Sequence, residues 1–213
     1  ELGNRALALS SMSRASELIS SSDSDFLKAE LSLINGFLFE ELMLRTEALN
    51  LYFKAYDYYR TNPAVDKLFY VLLGIARTMR EHGEAYLNLA EEELNKLNKN
   101  RYHVLYLNAK AASLTDVKQR NQIVLRSLDY FDEDYDIKKQ VYIYSGIVMN
   151  YQLLDQPDSA FHYLIKAEKL IEDGKIFPER ILHFYNVRAY VESQNDMKEK
   201  ALETLDILFK YAS

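Results

Sequence analysis

The chain predicts an all-α fold of stacked antiparallel helix pairs, and three observations carry that prediction. A small, a large and a small residue recur at fixed spacing, as Ala48-x3-Tyr52-x2-Ala55 and Ala160-x3-Leu164-x2-Ala167. The same set appears as Ala8-x3-Met12-x2-Ala15 and, more loosely, as Ala201-x3-Leu205-x2-Leu208. Residues so spaced share one helix face, where the small ones admit a neighbouring helix and the large one fills the gap. Next, only 6 Gly and 3 Pro among 213 residues leave little for the turns of a β-rich fold. Finally, Gly36, Gly74, Ala109, Val148 and Ala189 each precede by 12 a key position of the following helix: Ala48, Tyr86, Asn121, Ala160 and Ala201. Their spacing of 35–41 residues is the period of a two-helix repeat. Such repeats stack into an extended surface along which a ligand binds.

The elements follow in order. Helix 3–19 carries Ala8, Met12 and Ala15 and reads as the second half of a repeat. The polar run SSSDSD at 20–25 starts a helix near Phe26, giving 26–44, and Ala48, Tyr52 and Ala55 mark 46–61. Asn62-Pro63, a capping residue before a first-turn proline, opens 64–81. Its apolar core LFYVLLGIA at 68–76 is far short of the roughly 18 residues of a membrane span. Helices 84–98 and 101–114 follow. Asp116-x2-Gln119 has capping-box spacing and opens 117–131. The acidic string Asp132, Glu133, Asp134, Asp136 lacks the spacing and glycine of a calcium loop and reads as the turn before 137–153. Pro157 and Pro178 open 157–173 and 178–194, and Asp196-x2-Glu199 opens 197–211. The eleven helices group as a half repeat at 3–19 and pairs at 26–61, 64–98, 101–131, 137–173 and 178–211, forming one domain over 1–213. Every link is short, which favours antiparallel neighbours.

Charge and composition narrow the function. A net charge of −6 and a pI near 5.3, with Lys and Arg scattered, disfavour phosphate backbones and anionic membranes. Zero Cys excludes disulfides, thiolate metal sites and cysteine nucleophiles. Seventeen Tyr against no Trp suit helix pairs, where the ring packs and the hydroxyl reaches the surface. His82, His103, His162 and His183 form no paired metal motif, and Glu179 with His183 reads as a surface pair. No nucleophile elbow or glycine-rich phosphate loop is present, so no catalytic residue, metal or cofactor is expected and the chain does not read as an enzyme. No secretion signal opens the chain. Its start at Glu1 suggests a processed product or an excised segment.

At its best-matching pairs the chain resembles the tetratricopeptide repeat (TPR) family, whose signature is W-x2-L-G-x2-Y followed by A-x3-F-x2-A. Tyr144-x2-Ile147-Val148-x2-Tyr151, Gly36-x2-Phe39 and Leu73-Gly74 match parts of the first helix, and Ala48–Ala55 and Ala160–Ala167 match the second. The helices at 84–98 and 117–131 depart, with Tyr86, Ala90, Glu93 and Asn121, Leu125, Leu128 in place of the small-large-small set. The resemblance implies a right-handed superhelix whose first helices line a concave face that binds a protein or peptide. On that face would lie apolar Leu33, Phe37, Val71 and Ile75, then a mixed set of Tyr106, Lys110, Ser145, Met149, Gln152, Asn186 and Tyr190. Lys110 and Asn186 do not reproduce the family's carboxylate clamp. The resemblance further implies a sensory or scaffolding segment of a larger bacterial protein, with a periplasmic or exported setting favoured over a cytoplasmic one. The competing expectation is a structural or oligomerisation domain whose concave surface is filled by its own neighbour.

Overall fold

The computed structural model describes residues 2–20, 24–133, 135–174, 176 and 181–212. Among them the chain is all helical and no strand forms. Eleven helices run in order: α1 (Leu2–Ser20), α2 (Asp25–Glu41), α3 (Arg45–Tyr59), α4 (Val65–Met79), α5 (Glu84–Leu94), α6 (Asn100–Ala112), α7 (Val117–Ser127), α8 (Ile137–Leu153), α9 (Pro157–Asp173), α10 (Leu182–Gln194) and α11 (Lys198–Ala212). Short 3-10 turns at Arg80–His82 and Leu128–Tyr130 finish α4 and α7, where longer α-helices were expected. None of the described helices is long and apolar enough to cross a membrane.

The chain divides into two compact units, residues 1–115 and 116–213, with the boundary inside the pair expected at 101–131. In the first unit α2 packs with α3 and α4 with α5, while α4 also lies against α3 and α6 against α5 and α4. In the second, α8 packs with α9 and α10 with α11, while α7 and α10 both lie against α8.

The repeated small residues sit where close packing needs them. Ala48, Tyr52, Ala55, Ala160 and Ala167 are fully buried and Leu164 nearly so. Ala201 is buried, whereas Leu205 and Leu208 are half-buried. Of the first set Met12 and Ala15 are half-buried, and the Ala8 side chain lies outside the described residues. Tyr52 and Tyr59 join Ala29, Leu33, Val71 and Ile75 in the core of the first unit. Val141, Val148, Leu164, Phe184, Val187 and Val191 build that of the second, together with the two alanines of α9.

Three pairs share one turn. Leu42-Met43-Leu44, Leu154-Asp155-Gln156 and Asn195-Asp196-Met197 join α2 to α3, α8 to α9 and α10 to α11. Their middle residues have φ of 62°, 54° and 57°. The third residue's N–H donates five residues back, Leu44 to Phe39 (2.9 Å), Gln156 to Tyr151 (3.0 Å) and Met197 to Glu192 (3.0 Å). That is the Schellman closure of a helix C-terminus, which satisfies orphan carbonyls while reversing the chain. The turn centre falls seven residues after Gly36, Val148 and Ala189 and five before Ala48, Ala160 and Ala201, in the register the aligned positions require.

Several start signals are used as expected. Asp116 accepts from the Gln119 N–H at 2.7 Å and Ser24 from Leu27 at 3.3 Å, while Asp136, expected only as part of a turn, caps α8 by accepting from Lys139 at 3.0 Å. Pro157 begins α9. Two signals serve the preceding helix instead. The Asn62 amide donates to the Tyr58 carbonyl at 3.2 Å, closing α3, and α4 starts after Ala64. Asp196 is the left-handed residue ending α10 and does not cap α11. Pro178, Glu179 and Asp134 lie outside the described residues.

Candidate binding face on α8 and α10

The residues expected on one inner surface divide between the units: Tyr106 and Lys110 belong to the first, Ser145, Met149, Gln152, Asn186 and Tyr190 to the second. Two of them are corrected by burial. Ser145 is 0% exposed and its hydroxyl donates to the Val141 carbonyl at 2.8 Å, so it serves the α8 core side. Tyr106 is 3% exposed. Burial and a hydrogen bond to Glu91 of α5 push its phenol pKa well above the ordinary value, so the ring is an internal α5–α6 contact. Lys110, half-buried, donates to the Tyr106 hydroxyl at 3.3 Å and lies 5.4 Å from its ring centroid. Neither Tyr106 nor Ser145 presents a side chain to a partner.

In the first unit the expected surface positions are filled by the chain itself. Phe37 packs edge-on to Tyr52 at 5.7 Å, and Leu33, Val71 and Ile75 are buried. Glu40 of α2 accepts two bonds from Arg77 of α4, both 2.8 Å, and one from the Tyr52 hydroxyl at 2.6 Å. Burial raises the Glu40 pKa, but the bonds and charge of Arg77 with the Tyr52 bond outweigh it and hold the carboxyl below its usual range. Nearly three turns earlier on α2, Glu30 pairs with Lys67 of α4 at 2.7 Å and accepts from Tyr59 of α3. Each node takes its acid from α2, its hydroxyl from α3 and its cation from α4. Charge-assisted bonds of this kind fix the register of three helices.

In the second unit the aligned positions differ between the two first helices, being buried or half-buried on α8, Leu153 apart, and exposed on α10. Met149 is half-buried against the core, Gln152 is half-buried, and Asn186 and Tyr190 are exposed, Tyr190 at 42%. Around them lie Tyr142 and His183, which the aligned positions did not single out, and Leu153, which they did. Tyr142 of α8 is 65% exposed and its ring lies 4.9 Å from that of His183 on α10, while Leu153 at the far end of α8 is 59% exposed. Tyr142, Gly146, Met149 and Leu153 fall at i, i+4, i+7 and i+11, one stripe of a helix. His183 and Tyr190 stand seven apart on α10, so the two helices together show aromatic, aliphatic and amide groups to solvent.

Gly146 separates this face from the glycines of the first unit. A Cβ on Gly36 or Gly74 would meet the Tyr52 ring at 2.7 or 2.5 Å, so those glycines exist to seat a tyrosine. A Cβ on Gly146 would meet nothing within 4 Å. Glycine inside a helix costs about 1 kcal/mol relative to alanine, and internal packing gives Gly146 no reason to bear it.

The described residues hold no group of three His, Asp or Glu placed to take a metal ion. The buried acid of the second unit, Glu192, is committed to structure. It accepts from Arg188 at 2.8 Å and from Thr204 at 2.7 Å, and Arg188 also pairs with Glu168 of α9 at 2.7 Å. What the face offers chemically is contact surface with hydrogen-bonding edges, the composition of a recognition site. Comparison with protein-family models, curated proteins and solved structures finds no match for the chain.

Proposed function

We propose that this chain is a protein- or peptide-binding module, built as a TPR-like right-handed superhelix of antiparallel helix pairs and acting without catalysis. The observation that carries the binding reading is the exposure of Tyr142, Leu153 and Tyr190 on the neighbouring first helices α8 and α10, with Met149 half-buried between the two residues of α8. The recurrence of one turn at one register in three pairs supports the repeat architecture. Placement as a sensory or scaffolding segment of a larger bacterial protein rests on the family resemblance.

The test is a selection of peptides from a displayed random library on the intact 213-residue chain, followed by anisotropy titrations. Tyr142→Ala and Tyr190→Ala should each weaken selected peptides by about 30-fold or more, the cost of losing an aromatic hot spot. Glu92→Ala, at an exposed position of α5, should leave affinity unchanged. Failure to select any peptide, or selected peptides indifferent to both tyrosines, overturns the reading.

The second reading, a structural or oligomerisation domain, is favoured by one observation, the Glu40–Arg77–Tyr52 and Glu30–Lys67–Tyr59 nodes that fill the first unit. Concentration-dependent mass by light scattering separates the two, since only this reading requires self-association.

A further inference from the structure

We propose that the α8–α10 face takes an acidic amphipathic helix of a protein partner, crossing α8 at Gly146. This rests on the binding reading above and adds the chemistry of the ligand. Two independent observations carry it.

The first is charge segregation. Helix α8 contains no Asp or Glu over its 17 residues, and the only carboxylate of α10 is Glu192, buried and bonded to Arg188 and Thr204. The partner helices differ: α9 holds Asp158, Glu168, Glu172 and Asp173, and α11 holds Glu199, Glu203 and Asp206. In a chain of net charge −6, a two-helix surface whose exposed charges are cations marks where acidic groups can approach. Lys138 and Lys139 are exposed in the first turn of α8, one and two turns from Tyr142 and Gly146. Asp136 stands before α8 and accepts the Lys139 backbone N–H, and the α9 end that carries Glu172 and Asp173 reaches the start of α8, where Gly174 lies against Ile137.

The second is the open space above Gly146. Elsewhere this chain places small residues where a helix or ring crosses closely, as at Ala160 and Ala167, both fully buried, and at Gly36 and Gly74 beneath Tyr52. Gly146 has the same smallness in mid-helix, and an added Cβ there would meet no described atom within 4 Å. An incoming helix can bring its backbone close there, set apolar side chains between Tyr142, Met149 and Leu153, and direct carboxylates toward the two lysines. This is helix-in-groove recognition with apolar anchors at helical spacing.

The experiment uses the full chain and three synthetic probes of equal length and apolar stripe, with Glu, Gln or Lys at the flanking positions, read by fluorescence anisotropy. The Glu probe should bind at least tenfold tighter than the Gln probe, with affinity falling as salt rises. Gly146→Leu should cut its affinity tenfold or more while thermal stability holds or increases, since leucine is the better helix former. Lys138→Glu with Lys139→Glu should reverse the preference toward the Lys probe. Equal binding of Glu and Gln probes, both lost in Tyr190→Ala, overturns the acidic assignment and leaves the binding reading standing. Glu-probe binding unchanged by Gly146→Leu overturns the crossing site. Failure of all three probes, with library peptides still bound through Tyr190, overturns the amphipathic-helix assignment alone.

Discussion

The same substitution, glycine to alanine in mid-helix, is expected to change stability in opposite directions at Gly74 and Gly146. Helix propensity alone favours alanine by about 0.8–1 kcal/mol at both sites. At Gly74 the added Cβ would lie 2.5 Å from two carbons of the Tyr52 ring and 2.8 Å from a third. Comfortable carbon contacts begin near 3.5 Å, so the ring must retreat by about 1 Å. It has nowhere to go. On its other side Gly36 leaves only 2.7 Å for a Cβ, Phe37 lies edge-on at 5.7 Å, and its hydroxyl is bonded to Glu40 at 2.6 Å. Three ring carbons within 2.8 Å put the cost in the upper part of the range of about 1–3 kcal/mol for overpacking, which after the propensity gain leaves Gly74→Ala less stable by about 1–2 kcal/mol. Gly146→Ala meets nothing and should gain most of the propensity term. Urea unfolding followed by circular dichroism should move the first midpoint down by about half to one molar and the second up by less. Gly74→Ala placed in a Tyr52→Leu background should lose its penalty, a double-mutant cycle that assigns the cost to the ring. A Gly74→Ala chain as stable as wild type, or a Gly146→Ala chain less stable, would refute the packing argument.

Arg77→Ala removes the bidentate partner of Glu40 and should cost about 2–3 kcal/mol near neutral pH. Because the Glu40 carboxyl is held below the ordinary carboxylate range, its contribution is present above that range and lost as pH falls through the depressed value. The gap between Arg77→Ala and wild type should therefore close under acid in a pH series of urea midpoints, and a gap that persists there counts against the pairing. Arg80 holds φ 52° and ψ −119°, a conformation that strains any side chain. Arg80→Gly should raise the thermal midpoint, by about 1 kcal/mol of stability, and a lowered midpoint would show that the strain is absent. Ala167→Leu, at a fully buried helix crossing, should cost about 1–3 kcal/mol by the same unfolding measurement, and a neutral result would mean the crossing has slack.

The repeating small residues made the pairs legible because helix packing selects size at fixed spacing, and Ala48, Ala55, Ala160 and Ala167 need no tertiary information to be found. Helix ends were less legible where one signal serves two purposes. Asn62 and Asp196 have the chemistry of an N-cap, yet the first closes the helix before it and the second adopts left-handed φ at the helix end. The site was read by alignment of first helices, which sets a residue's face only when neighbouring pairs cross alike. Position −3 is buried at Tyr106 and Ser145 and exposed at Asn186, so that assumption fails within this chain. Tyr142, His183 and Gly146 escaped because their aligned positions carry Glu30, Leu68 and Ile34, among others, elsewhere. The absence of any carboxylate from 137 to 153 was visible in the sequence and would have pointed to that helix.

The shared three-residue turn also sets the order in which structure can appear. Each of its closures involves only carbonyls already made, and the helix pair it joins is finished within 35 residues of chain at α2–α3 and 37 at α8–α9. Most packing in either unit links helices adjacent or next-adjacent along the chain, the pattern of low contact order that accompanies rapid folding. A nascent chain that has released Tyr59 already holds what it needs to close α2 on α3, with Tyr52 between them. It then lacks only the lysine and arginine of α4 to quench Glu30 and Glu40. Until those cations emerge, Glu30 and Glu40 lack the charges that offset them in the folded chain, so the hairpin's ion-pair nodes are completed only by α4.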